Sequence, residues 1–402
     1  MSNFLTFSEL DTDIQQRMQN SAPDQTKRLN AINSASQNIS AEFDIESSLR
    51  DVVFYAVPDG TAIKLSGVVS DYKNIDSLSY LNNGISDLEY RRLDGSDFDL
   101  HLSQSVLYDE FTTSYNNGEQ IIKINSVNGF DSALLHDCTS LTDNGTWAVD
   151  AVNSDATNIS VNSVNVMAGT AGLQFDIDVS QSANNYALVS VPDAGSVDLT
   201  NYLGLGKTRF WVYLPSVSEF TSITYRWGTD SSNYYYKTVT TQYDGSSFIA
   251  GPNYVEFDWA SATTVGSPDV SDIVYHALQL NYTASFTDKT AVRFEGITMY
   301  LPIPYRMTYY TSFLSKTTAG VFQELLTTTS TDELLIPKRF KNIVVLEALK
   351  TLWPMAMGQD ARPYLDLVYA DFNREKAKLT GSGLGEKPKK NVPKIRIHNP
   401  IE

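Results

Sequence analysis

Cysteine is nearly absent from this chain of 402 residues: Cys138 stands alone. A single thiol excludes an internal disulfide and suits synthesis in a reducing compartment. Histidine is almost as scarce, with His101, His136, His276 and His398 far apart from one another. None shares a zinc-type ligand spacing with another histidine or with Cys138. No apolar run reaches the ~18 residues that a spanning helix needs. The opening segment MSNFLTFSELDTDIQQRMQ has no basic and no apolar region of the signal-peptide kind, so none is expected. Gly206-Lys207-Thr208 looks like the end of a phosphate-binding loop, but Asn201 stands where that loop needs its first glycine. A Gly-x-Ser-x-Gly nucleophile elbow is also missing. With no catalytic constellation, the chain is expected not to be an enzyme.

Basic residues are few and unevenly placed. The net charge is −17. Between Asp131 and Tyr300 there are 18 acidic and 6 basic residues, whereas Lys376 to Glu402 carries 7 basic and 2 acidic ones. The acidic block should avoid nucleic acid, and the basic end suits DNA or an acidic protein surface.

What is present is enough apolar material for real cores, 42% of residues, and a length that suggests two or three domains. Ser8 and Asp11 read as a capping box ahead of Leu10, Ile14 and Met18. A second helix starts near Pro23-Asp24 with the stripe Leu29, Ile32, Ser36, Ile39 and Phe43. Asp51 to Leu65 reads as a hairpin around Pro58-Asp59-Gly60-Thr61, and Phe111 to Asn125 as another. Near the other end, Val345, Ala348, Leu349, Leu352 and Trp353 share one helical face, widened by Ile343, Val344 and Leu346 into a buried helix. Pro354 is expected to end it. Asp360 and Pro363 open a further helix with the stripe Leu365, Val368, Phe372 and Leu379.

From about Phe130 to Leu301 helical periodicity vanishes. Strand-like runs recur at 172–179, 185–191, 208–214, 222–228, 234–243, 253–259, 276–282 and 291–301, which argues a β-sandwich. Asp176 and Asp178 are candidate calcium ligands, as hard cations want several oxygens, although solvated strand faces are the plainer account. Glu256 and Asp258 read the same way. Trp227, Tyr234, Tyr235 and Tyr236 suit either core packing or a platform that stacks on sugar rings. Three consecutive tyrosines on a strand cannot all face one side.

Two segments carry a resemblance. Thr331-Asp332-Glu333-Leu334-Leu335-Ile336-Pro337 followed by the buried helix and a charged amphipathic helix, and Ile32-Asn33-Ser34-Ala35 in an early helix before a hairpin, together resemble the head-to-tail adaptor proteins of tailed bacteriophages. These are also called gatekeeper, neck or head-completion proteins. The likeness covers roughly 1–125 and 303–380. The middle resembles carbohydrate-binding-module-like jelly rolls.

The fold so implied is α+β: a split adaptor domain of helices and small antiparallel β elements, carrying an inserted all-β jelly-roll sandwich. Its bounds are 1–126, 127–302 and 303–380, with an extended basic tail at 381–402. The resemblance implies a structural virion protein made in the host cytoplasm. It would form a homo-oligomeric ring, a dodecamer, in the neck under the portal protein. There it would extend the channel for packaged DNA, touched without sequence specificity, and offer a platform to the next tail component. No membrane and no cofactor beyond the candidate calcium are expected. Lys387, Lys389, Lys390, Lys394 and Arg396 of the tail would contact a neighbouring subunit, the portal or DNA. The alternative is a carbohydrate-binding, receptor- or fibre-associated virion protein.

Overall fold

A computed structural model describes residues 4–42, 45, 48–81, 88–103, 109–116, 119–126, 131–142, 144–150, 154–164, 166–167, 170–317, 319–329 and 331–381. The chain divides into two compact units, each discontinuous in sequence. The first comprises Met1–Val53, Leu65–Ser79 and Arg306–Glu402, and the second Phe54–Lys64 and Tyr80–Tyr305.

The first unit draws on both ends of the chain. Strand Phe4–Thr6 pairs antiparallel with Glu333–Pro337, placing Leu5 opposite Leu334. Helix Phe7–Met18 follows directly. Its capping box lies two residues earlier than the sequence suggested. Thr6 Oγ1 accepts from the Glu9 amide at 3.4 Å, and Glu9 Oε2 accepts from the Thr6 amide at 3.1 Å. The shift follows from burial: Phe7, Leu10, Ile14 and Met18 are all core residues, so the helix must begin at Phe7 to bury the whole stripe. Helix Gln25–Glu42 buries Ala31, Ile32, Ala35 and Ile39.

Helix Lys341–Met357 is the centre of this core, with Ile343, Val344, Val345, Leu346, Ala348, Leu349, Leu352 and Trp353 buried. Pro354 does not end it. The proline sits in the last turn, where its missing N–H gives up only the bond to the Lys350 carbonyl, and Gly358 closes the helix with φ +56°. Helix Arg362–Gly381 then carries Pro363 in its first turn, and Tyr364 stacks on Trp353 with ring centroids 4.3 Å apart.

The second unit contains a sandwich of two six-stranded sheets. One runs in the order Ala148–Val149, Tyr186–Val191, Tyr275–Tyr282, Phe220–Asp230, Asn233–Val239, Thr263–Val265. The other runs Ala156–Asn162, Gly172–Ile177, Lys289–Tyr300, Lys207–Leu214, Gly251–Asp258. Strand Ser132–His136 extends it by pairing with the far half of Lys289–Tyr300. Alternation along each strand puts Phe175, Phe210, Val212, Tyr225, Trp227, Phe257, Leu278 and Phe294 between the sheets. Each of the eight strand-like runs read from the sequence overlaps one of these strands, though the runs 172–179 and 234–243 outlast theirs.

Outside the sandwich, Glu110–Asn116 and Glu119–Asn125 form the expected hairpin, with Tyr115 opposite Gln120. The hairpin expected from Asp51 to Leu65 is not formed. Ile63–Lys64 pairs instead with Glu119–Asn125, while Leu49–Ala56 belongs to another sheet. The Pro58–Thr61 turn is real but has another role. Asp59 Oδ1 accepts from the amide and hydroxyl of Thr61, and its Oδ2 accepts from Arg209 at 2.8 Å.

Candidate functional site

The outward face of the sheet that contains Tyr275–Tyr282 carries a cluster of polar and aromatic side chains. Strand phase decides which side chains reach it. In Phe220–Asp230 the buried phase is Ile223, Tyr225 and Trp227, so Ser222, Thr224 and Arg226 point outward. In Tyr275–Tyr282 the phase between the sheets is His276, Leu278 and Leu280; Tyr275, Ala277, Gln279 and Asn281 take the other phase, where Tyr275 and Ala277 are themselves buried with Leu188 under Tyr186 and Tyr234. Register then builds cross-strand rows. Ser190, Ala277, Arg226 and Tyr236 lie in one row, and Leu188, Gln279, Thr224 and Thr238 in the next.

A chain of hydrogen bonds links these rows. Arg226 donates to Gln279 Oε1 and to the Tyr275 phenol. Gln279 Nε2 donates to Asn281 Oδ1. Asn281 Nδ2 reaches Ser222 Oγ at 3.0 Å and Thr224 Oγ1 at 3.1 Å. Thr224 and Thr238 hydroxyls are 2.7 Å apart. The Arg226 guanidinium lies over the Tyr234 ring, 5.1 Å from its centroid. Burial pushes the Tyr275 phenol up, and the Arg226 charge pulls it the other way.

Gly228 shapes one end of this face. It stands in register with Tyr234 on one side and Tyr275 on the other. Those two rings approach to 6.1 Å. A Cβ at Gly228 would lie 2.3 Å from the Asn233 carbonyl and 2.5 Å from Tyr234 Cα, so only glycine lets the strands and rings come this close.

The four aromatic candidates therefore separate. Trp227 is a correction: it is fully buried, stacked on Trp259 at 4.6 Å, because it shares the phase of Ile223 and Tyr225. Tyr235, opposite Trp227, also turns inward and stacks on Trp227 and Trp259. Tyr234 and Tyr236 take the outward face. The sequence reading missed Arg226, Tyr275, Gln279, Asn281 and Gly228. Their signal was present in the alternation of SITYRWG and HALQLNY, whose apolar and polar phases are complementary.

The calcium candidates do not share a strand, since Gly172–Ile177 ends before Asp178. Asp176 accepts from the Ala291 amide at 2.9 Å and from Asn158 at 3.2 Å. Asp178 accepts from Ser180 and Gln181, and those bonds, Ser180 first, hold its carboxyl below the usual range. Among the described residues no group of three or more His, Cys, Asp or Glu is arranged to hold a metal ion.

Glu256 lies on the outward face of the other sheet. Burial would raise its carboxyl, but Arg209 and Lys207 outweigh that and hold it low. Asp258 caps the short turn Trp259–Ser261. Lys387, Lys389, Lys390, Lys394 and Arg396 lie outside the described residues.

The sequence matches no protein-family model and no curated protein. Among solved structures, the chain is similar to the family 30 carbohydrate-binding module of a cellulosomal cellulase of Clostridium thermocellum, at 9% identity and a TM-score of 0.31, over 42% of this chain and 96% of that one. It is similar to the family 11 carbohydrate-binding module of Clostridium thermocellum in complex with a β-1,3-1,4-mixed-linked tetrasaccharide, at 12% identity and a TM-score of 0.29, over 43% and 96%. A third is the CBM22-1 xylan-binding domain of Paenibacillus barcinonensis Xyn10C, at 14% identity and a TM-score of 0.24, over 44% and 97%.

Proposed function

We propose that this chain is a structural protein of a tailed-phage virion, a head-to-tail adaptor that assembles as a ring in the neck. The observation that carries the reading is the first unit. Strand Phe4–Thr6 and helix Phe7–Met18 are completed only by Glu333–Pro337 and Lys341–Met357 from the far end of the chain. A unit closed by both chain ends, with an all-β sandwich carried between them, is the organisation that the adaptor resemblance implies. In this reading the helical unit makes the contacts to the portal, to neighbouring subunits and to the next tail component, and the work is assembly rather than catalysis. Immunogold electron microscopy of the source virions, with antibody against residues 131–300, tests it. Gold confined to the neck is expected, and gold on the capsid or at fibre tips would remove the adaptor role.

A second reading is favoured by the Tyr234–Tyr236 face, beside which Tyr275 is buried. Aromatic rings beside a row of amides, hydroxyls and a guanidinium supply the two things a sugar offers to bind, apolar C–H faces and a rim of hydroxyls. The sandwich would then be a glycan-binding module, either on the adaptor or on a receptor- or fibre-associated protein. Affinity electrophoresis of the full chain in gels containing soluble polysaccharides checks this. Retardation by at least one polysaccharide is expected, with Tyr236→Ala losing about tenfold in affinity, the worth of one aromatic contact. Mobility unchanged in every gel would remove the sugar-binding role and leave the adaptor role untouched.

A further inference from the structure

Between Asp131 and Tyr300 carboxylates outnumber cations 18 to 6. In such a block an arginine should readily find an acid. Lys207 and Arg209 do so with Glu256, Arg209 also with Asp59, and Lys289 with Glu219. Among the described residues Arg226 does not, and Arg293 and Lys237 likewise sit against neutral groups. The described partners of Arg226 are the Gln279 carbonyl oxygen, the Tyr275 phenol and the Tyr234 ring, all uncharged acceptors. Asp150 also acts electrostatically on Tyr275. Holding a partly buried guanidinium against neutral groups forgoes an ion pair that this chain could easily supply. Gln279 and Tyr275 take part of the guanidinium's five N–H donors, and the rest can serve a carboxylate.

We propose that the face around Arg226 binds a glycan bearing a carboxylate, a uronic-acid-containing polysaccharide, with the sugar carboxylate on Arg226 and sugar rings against Tyr234 and Tyr236. This rests on the sugar-binding reading and narrows it to acidic sugars. The charge count also limits how acidic. Arg226 is the one cation on this face among the described residues, as Lys237 shares the phase of Tyr225 and reaches the Ser261 carbonyl. The surrounding block is strongly negative. A densely sulfated chain would meet one cation and much repulsion. A sugar chain with sparse uronates meets one matched charge and neutral hydrogen-bonding groups elsewhere.

The test is isothermal titration of the full chain with a glucuronoxylan oligosaccharide and with the same oligosaccharide after reduction of its carboxyl to a primary alcohol. The acidic form is expected to bind about tenfold or more tighter, with affinity falling as salt rises. Arg226→Gln should bring the acidic form down to the level of the reduced one, and Arg226→Lys, which keeps charge but not the fork, should fall between. Far-ultraviolet circular dichroism checks that both variants fold. Tyr236→Ala should weaken both ligands alike. Equal binding of the two ligands by the unmodified chain overturns the acidic-sugar inference while the sugar-binding reading stands. Binding of neither ligand overturns this inference, and if the polysaccharide gels also show no retardation the sugar-binding reading falls with it.

Discussion

His276 is the residue whose surroundings differ most from water. It is fully buried between the sheets, accepts or donates one bond to the Tyr225 hydroxyl at 2.8 Å, and packs its ring 4.9 Å from His136. Burial, and then the neighbouring His136, push its imidazole well below the usual value, so it stays neutral in the folded chain. In the unfolded chain it takes up a proton below about pH 6.5. Unfolding then binds more protons than the folded state holds, and stability falls as pH drops through that value by about 1.4 kcal/mol per unit. The expected outcome is a midpoint of urea unfolding that declines from pH 6.5 to 5.5, with a shallower slope in His276→Gln.

Arg209 makes the opposite case. It is buried with Glu256 and Asp59 as counter-charges. Arg209→Ala should cost about 3–5 kcal/mol, since it takes the shared guanidinium from Glu256 and Asp59 and leaves Glu256 to Lys207, and Arg209→Met with Glu256→Leu should recover part of that loss. Urea titrations of the two variants check both. Residue identity alone did not reveal these roles. Arg209 and Arg226 look alike in sequence, and what separates them is which acids the fold brings near.

At the level of elements, pattern was legible where one face is buried and the other is wet. The strands of the sandwich and the helix Lys341–Met357 follow their apolar periods closely. Element ends were harder, because they depend on single tertiary contacts: Phe7 needing burial moved the first cap, and Pro354 was tolerated in a last turn. The Asp51–Leu65 misreading has the same origin, since a turn sequence fixes a reversal of direction but not which strand receives the returning chain. Asn33 shows how such long-range pairing is fastened. Its amide donates to the Leu326 carbonyl and accepts from the Leu326 amide, both at 3.0 Å. Asn33→Leu leaves both backbone groups unsatisfied and should lower the stability of the first unit by about 2–4 kcal/mol in denaturant titration. At the other unit, Gly228→Ala should separate the strands at Tyr234. A chain that still folds should then show the Tyr236→Ala loss of sugar binding.

For the whole molecule, the two large apolar cores among the described residues share no buried residue, which suggests two cooperative transitions in calorimetry. Asn33→Leu should lower one midpoint, and acidification toward pH 5.5 should lower chiefly the other. A single transition that both changes shift together would mean the units unfold as one. From a change of composition, the sequence leads one to expect an insertion at 127–302. The compact unit that holds the sandwich also includes Phe54–Lys64 and the chain from Tyr80. Composition could not show this, since those segments are held by particular bonds such as Asp59 to Arg209 rather than by a shared amino-acid bias.

The pairing of Phe4–Thr6 with Glu333–Pro337 also sets a timetable. Chains emerge from the ribosome amino end first, at about 5–20 residues per second. Leu5, Leu10, Ile14 and Ile32 are made at the start, but the helix that covers them begins only at Lys341. That gap of roughly 300 residues lasts about 15–60 seconds at those speeds. Throughout it the sandwich can close on residues already made, while the amino-terminal helices keep their apolar stripes bare. The nascent chain is therefore most in need of a chaperone at Phe7–Met18 and Gln25–Glu42.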